Sequence, residues 1–191
     1  PNFFVNTPDI NPVYLQTSGR AGFLIRAALA ATLSGSWGIY CGFELCEAAA
    51  LPGREEYADS EKYQLRAWDW DRTGNIVAEI AVLNSIRRAN PALHSHLGVT
   101  FLAGDNDQIL TYAKASPDNG NLVVVAVSLD PHHPQAGGFE LPLWRWGLDD
   151  KSDVLAEDLL RPAESRWTPG WQRAELSPQA PYGIWRLRRA P

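Results

Sequence analysis

Ala21-Gly22-Phe23-Leu24-Ile25-Arg26-Ala27-Ala28-Leu29-Ala30-Ala31-Thr32-Leu33 decides the fold. Apart from Arg26 the run is apolar almost all round, which predicts a helix with little exposure rather than a surface helix with one apolar stripe. Thr17 and Ser18 stand before it as cap candidates, and Gly35 follows its end. On the amino-terminal side, Asn2 to Asn6 reads as a short buried strand closed by the turn-rich run Thr7-Pro8-Asp9-Ile10-Asn11-Pro12. On the other side, Trp37 to Tyr40 gives a second short apolar strand. Farther along, Ile76, Ile80, Leu83 and Ile86 recur at helical spacing, with Arg87 and Arg88 in the last turn and Pro91 as the stop, so a helix is predicted over 76–90. Strand, helix, strand, helix is the grammar of parallel βα units.

The intervening segment, Cys41 to Trp70, shows no clear period. So long a connection is usually functional or disordered, and its aromatic and charged residues (Tyr57, Tyr63, Trp68, Trp70, Glu55, Glu56, Asp59, Glu61 and Lys62) predict an ordered functional loop. From Leu97 the period becomes that of strands: 99–102, 108–113, 122–129, 139–143 and 182–187, separated by Gly, Asn, Asp and Pro turns. The expected fold class is therefore α/β plus all-β. Two βα units over 1–95 are followed by an antiparallel β-sandwich or barrel over 96–191, with the boundary between His94 and Gly98. Two units cannot close a (β/α)8 barrel, which takes about 250 residues, but they fit as its last two. The carboxyl ends of the strands would then place 6–11 and 41–70 on the catalytic face.

Hydrophobic residues make up 45 % and charged residues 20 % of the chain, enough apolar material for one or two packed domains. A formal net charge of -5, with both signs interspersed, argues against a nucleic-acid or anionic-membrane surface and suits a neutral partner. No apolar run approaches the roughly 18 residues that a membrane span needs. Cys41 and Cys46 have no further cysteine to complete a zinc site, and free thiols in a reducing cytoplasm are expected. With Pro1 first and no Met anywhere, the chain is expected to begin within a longer protein. On residue type alone, Asp9 reads either as an active-site carboxylate at a strand end or as a turn acid.

Asn6-Thr7-Pro8-Asp9 after Asn2-Phe3-Phe4-Val5 resembles the segment of the α-amylase superfamily that carries its third catalytic carboxylate, with Thr-Pro where most members have His. That departure, together with Asp59-Ser60-Glu61-Lys62-Tyr63, is similar to the branch within glycoside hydrolase family 13 that extends α-1,4-glucan from maltose 1-phosphate. Ile86-Arg87-Arg88-Ala89-Asn90-Pro91-Ala92-Leu93, Asp105-Asn106-Asp107-Gln108 and Leu129-Asp130-Pro131-His132-His133 also match it. The Asn-Pro-Ala-Leu helix end is common across amylase-like enzymes. Asn-Thr-Pro-Asp combined with Asp-Ser-Glu-Lys-Tyr is far more specific.

The resemblance implies a retaining maltosyltransferase in which Asp9 stabilises an oxocarbenium-like transition state while Lys62 and Tyr63 hold the outer glucose of the maltosyl unit. Its partners would be α-glucan and maltose 1-phosphate, with no nucleic acid, no membrane and no cofactor, and the full-length protein would be a cytoplasmic homodimer. The nucleophilic Asp and acid/base Glu of that family lie on earlier strands, so this chain alone is expected to be inactive. An α-amylase-like hydrolase or trehalose synthase is the rival within the superfamily, and a non-catalytic glucan-binding or assembly module is the rival outside it.

Other groups read more plainly. Asp130, His132 and His133 fit a Pro-flanked turn better than a metal site, and Asp105-Asn106-Asp107 lacks the later Gly and Glu of a calcium loop and reads as a hairpin turn. Of the eight Trp, Trp144, Trp146 and Trp185 are expected in sandwich packing, while Trp68 and Trp70 remain candidates for sugar stacking. Cys41, Cys46 and Ser128-Leu129-Asp130 depart from the family pattern without touching the expected sugar contacts.

Overall fold

The computed structural model describes residues 1–61, 64–149 and 151–190. Strand β1 (Asn2–Phe4) pairs in parallel with β2 (Ser36–Gly38), with Phe3 opposite Trp37 and Phe4 opposite Gly38. A parallel pair needs a crossover, and α1 (Val13–Thr17) and α2 (Gly19–Leu33) supply it. As its composition requires, α2 is enclosed: ten of its residues are buried, Phe23, Leu24, Ile25 and Ala28 among them. Arg26 is accommodated because its guanidinium donates to the Val5 carbonyl at the end of β1.

The short helix α1 is not visible as a periodic pattern, and it changes the reading of the caps. Thr17 sits in its last turn, with Oγ1 donating back to the Val13 carbonyl at 3.1 Å. Ser18 does occupy the N-cap position of α2, but its side chain makes no capping bond. A third helix, α3 (Val77–Ala89), follows the long loop. At its start Asn75 Oδ1 accepts from the Val77 N–H at 3.1 Å, satisfying a first-turn donor. Near its end Arg87 donates to the carbonyls of Ala31, Ser34 and Gly35, so the last turn of α3 closes the carboxyl end of α2.

The remaining strands are antiparallel: β3 (Val99–Phe101), β4 (Ile109–Ala115), β5 (Leu122–Ser128), β6 (Gln135–Leu141), β7 (Val154–Asp158), β8 (Ala163–Trp167), β9 (Gly170–Leu176) and β10 (Tyr182–Arg189). Six form one sheet in the order β3-β4-β5-β10-β7-β8, and β6 with β9 forms a second. Strand β5 is buried along its whole length. Val123, Val125 and Val127 face the helices in a core with Phe23, Leu24, Ala28, Tyr112 and Ile184. Leu122, Val124 and Ala126 face the opposite way, into a core with Phe139, Leu141, Trp146, Val154 and Ala174. The six-stranded sheet is thus the middle of three layers, between the helices and the β6–β9 pair.

Trp146 is buried and Trp185 packs against Trp167 at 5.4 Å, as sandwich residues should. Trp144 does not fit that expectation. A 3-10 turn over Leu143–Trp146 directs Leu143 and Trp146 inward, and leaves Trp144 62 % exposed. No described helix is long and apolar enough to cross a membrane.

Candidate functional site

Where β1 ends, Asn6 is buried and uses its whole amide. Its Oδ1 accepts from the Tyr40 N–H at 2.9 Å, while Nδ2 donates to Tyr57 Oη at 2.8 Å and to the Tyr40 carbonyl at 3.3 Å. One side chain therefore joins the exits of both parallel strands to the long loop. Beyond it, Thr7 and Ile10 exchange backbone hydrogen bonds at 3.2 Å, and Thr7 Oγ1 accepts from the Asp9 N–H. The tight turn holds Asp9 at the protein surface. There it borders a cleft of about 390 Å³ whose walls include Pro8, Leu51, Tyr57, Ser60 and Gln64.

Among the described residues of the loop, 41–61 and 64–70, backbone hydrogen bonds fix much of the chain. Ala50 bridges Tyr57, Leu51 N–H donates to the Glu56 carbonyl and Ala58 N–H to the Ala49 carbonyl, so residues 49–58 form a hairpin-like wall. Asn11 pins it from the side, its Nδ2 donating to the carbonyls of Ala48 at 3.0 Å and Ala49 at 3.4 Å. Glu55 Oε1 accepts from the Val13 N–H at 2.8 Å, serving the start of α1. On the other wall Ser60 Oγ donates to the Pro8 carbonyl and Glu61 N–H to Tyr40 Oη.

Of the residues expected to act, Asp9 stands at the cleft, whereas Lys62 and Tyr63 lie outside the described residues. Trp68 is half-buried: its ring lies against Gly42, its indole N–H donates to Glu61 Oε1 at 3.0 Å, and Arg66 stacks over it at 4.1 Å. Trp70 is 51 % exposed. Reasoning from sequence puts Asn11 and Glu47 near the expected catalytic face but gives neither a role. The only sign of Asn11 was its place at the far end of the same turn as Asp9, and Glu47 was one acid among many in an aperiodic segment. Both thiols are free. Burial pushes Cys41 up, and Cys46 up to about 11, so neither is a ready nucleophile.

The remaining candidates have local explanations. Asp130 accepts from the N–H groups of His132 and His133, from His133 Nδ1 at 2.9 Å and from Gln135 Nε2. These bonds, the His132 N–H foremost, bring its carboxyl down to about 2, as suits a turn acid. Asp105 Oδ1 accepts from the Gly138 N–H at 2.7 Å, pinning the β3–β4 turn to β6. Among the described residues no group of three His, Cys, Asp or Glu is placed to hold a metal. A larger cleft of about 680 Å³ lies at β7, β8 and β10. Four of its charged side chains pair with one another, Arg186 with Glu157 and Arg188 with Glu164.

Comparison with known proteins bears on the fold and on the sequence as a whole. The α-amylase from Geobacillus thermoleovorans complexed with acarbose aligns over 100 % of this chain and 39 % of its own, with a TM-score of 0.69 at 15 % identity. A Gamma-CGTASE from Alkalophilic bacillus clarkii aligns over 99 % of this chain and 26 % of its own, with a TM-score of 0.65 at 20 % identity. These neighbours share the fold. A family model described as "GLGE, C-terminal" matches residues 101–185. The alpha-1,4-glucan:maltose-1-phosphate maltosyltransferase of Pseudomonas aeruginosa is 60 % identical over 190 residues, 99 % of this chain and 29 % of that protein. Proteins of the same name from Cereibacter sphaeroides and Burkholderia pseudomallei are 53 % and 54 % identical, with 98 % and 100 % of this chain matched to 28 % and 17 % of theirs. The chain thus spans under a third of the length of these relatives, and along nearly the whole of its own length it is similar in sequence to proteins named alpha-1,4-glucan:maltose-1-phosphate maltosyltransferase.

Proposed function

We propose that the chain is part of a retaining glycosyltransferase that moves maltosyl from α-maltose 1-phosphate to the non-reducing end of an α-1,4-glucan. Residues 1–95 would be the last two βα units of a (β/α)8 barrel, and 96–191 the sandwich domain that follows. The parallel register of β1 and β2 supports this, as does the half-exposure of Phe3 and Phe4 on a pair whose outer edges have no partner among the described residues. The observation that carries the functional reading is the position of Asp9. It lies at the carboxyl end of a parallel strand, where barrel enzymes do their chemistry, beside a cleft lined by Tyr57, Ser60 and Gln64.

In this role Asp9 would accept hydrogen bonds from ring hydroxyls of the reacting glucose, and its negative charge would gain most as positive charge develops at the anomeric carbon. Lys62 and Tyr63 would hold the outer glucose. Retention needs a nucleophile and an acid/base about 5 Å apart, and Asp9 alone cannot supply both. The two free thiols suit a cytoplasmic setting, and the reading includes a homodimeric full-length protein. The test is Asp9→Asn in the full-length protein, supplied with maltose 1-phosphate and a maltooligosaccharide. Phosphate release is expected to fall by roughly 100-fold or more, with the circular dichroism spectrum unchanged. Near-normal turnover overturns the assignment.

A further inference from the structure

Glu47 carries a charge into a place where charges are rare. Its side chain is only 10 % exposed, and three donors converge on it. Oε1 accepts from the Ala49 N–H at 3.0 Å, and Oε2 accepts from Arg66 Nη2 at 3.1 Å and Arg72 Nη1 at 3.3 Å. Burial alone would push this carboxyl up. The Ala49 hydrogen bond and the two guanidinium groups outweigh it and hold the carboxyl below its ordinary value, so it is ionised at neutral pH.

The three donors lie on two segments that border the Asp9 cleft: Ala49 at the start of the 49–58 hairpin, and the two arginines on the limb that follows Gln64. Ala49 opens the hairpin over 49–58 that brings Leu51 and Tyr57 to the cleft, and its carbonyl receives the amide of Asn11, just beyond the Asp9 turn. Arg66 and Arg72 belong to the second segment, over 64–72. Arg66 lies two residues past Gln64, which borders the cleft, and stacks over Trp68, whose indole N–H holds Glu61. Glu61 N–H in turn donates to Tyr40 Oη at 3.0 Å. Among the described residues, one carboxylate therefore joins the 49–58 wall to the 64–72 limb without itself lining the cleft.

We propose that Glu47 is a positioning residue that fixes the two walls of the Asp9 cleft relative to each other, so that their polar groups meet a glucosyl unit already arranged. This rests on the reading of the cleft as a sugar site. A buried carboxylate shared by two arginines is costly to desolvate and contributes little net stability over an apolar replacement, whereas preorganised walls are worth more to binding. Chain movement between the walls would loosen the bound sugar in the ground state and the transition state alike, and the loss should then appear in KM.

The experiment uses the full-length protein with maltose 1-phosphate as donor. Glu47→Gln keeps the shape and an acceptor for Ala49 but turns an amide N–H₂ toward the two arginines. We expect KM for the donor to rise by about tenfold or more with kcat reduced less than about threefold, and Glu47→Asp to recover part of the loss. Should Glu47→Gln fold poorly, Arg72→Gln, at the more exposed end of the network, is expected to raise KM by about threefold at an unchanged melting temperature. Turnover by the unmodified protein with KM unaltered in the folded variants overturns this inference alone. Losses confined to kcat also overturn it. Absence of maltosyl transfer by the unmodified protein overturns the reading of the site, and this inference with it.

Discussion

Lys114 sits in β4 with no exposure, its ammonium donating to the carbonyls of Leu33, at 3.3 Å, and Ser95. Strand alternation gives no warning of this, since a lysine between Ala113 and Ala115 reads as an outward residue. It is inward because the carboxyl end of α2 arrives there with carbonyls to satisfy, and Arg87 already serves Ala31, Ser34 and Gly35. Burial, with the charge of Arg87 adding to it, brings Lys114 down from 10.5 to about 8. A lowered folded value means that the unfolded chain binds the proton more tightly between pH 8 and 10.5. The penalty for burying the charge is therefore full below pH 8 and is relieved as pH rises through that window. In urea unfolding of the chain at several pH values, this residue should add a stabilising slope from about pH 8 upward, and Lys114→Met should abolish that slope.

The Asp9 motif shows how far residues can be read directly. Asn-Thr-Pro-Asp marks the turn because a strand end followed by a proline turn is written locally, whereas the cleft beside it is built by the long loop. Asn11 and Glu47 escaped because their partners, Ala48, Ala49, Arg66 and Arg72, are assembled only by the folded loop.

Elements differ in legibility for a related reason. The helix α2 and strand β5 are enclosed on all sides, so composition alone marks them. Strands β7, β8 and β9 are not legible in the sequence: VLAED and AESRW are short, all three, with GWQRAEL, carry charged residues, and their pairing is supplied by β10, β7 and β6. The strand β10 lies between β5 and β7, and its Ile184 is fully buried against the helical layer. Ile184→Ala leaves a cavity between two rigid layers and should cost about 2–5 kcal/mol, measured as a lower urea midpoint with unchanged slope. A loss below about 1 kcal/mol would mean that the helices close onto the sheet more freely than this packing allows.

At the scale of the molecule, the period change near His94 suggests two separate bodies, and the structure adds what periodicity does not contain. Alternate side chains of β5 belong to different cores, Val123, Val125 and Val127 to one and Leu122, Val124 and Ala126 to the other. Neither core is complete without that strand. Opening the helical half therefore uncovers the strand on which the sandwich depends, and the two halves should lose their structure in one cooperative event. Amide hydrogen exchange followed by mass spectrometry should show this: the β5 amides would be the slowest to exchange, and under mild denaturant the α2 and β10 amides would converge on the same opening free energy. If α2 exchanged freely while β5 and β10 stayed protected, the halves would be separable units after all.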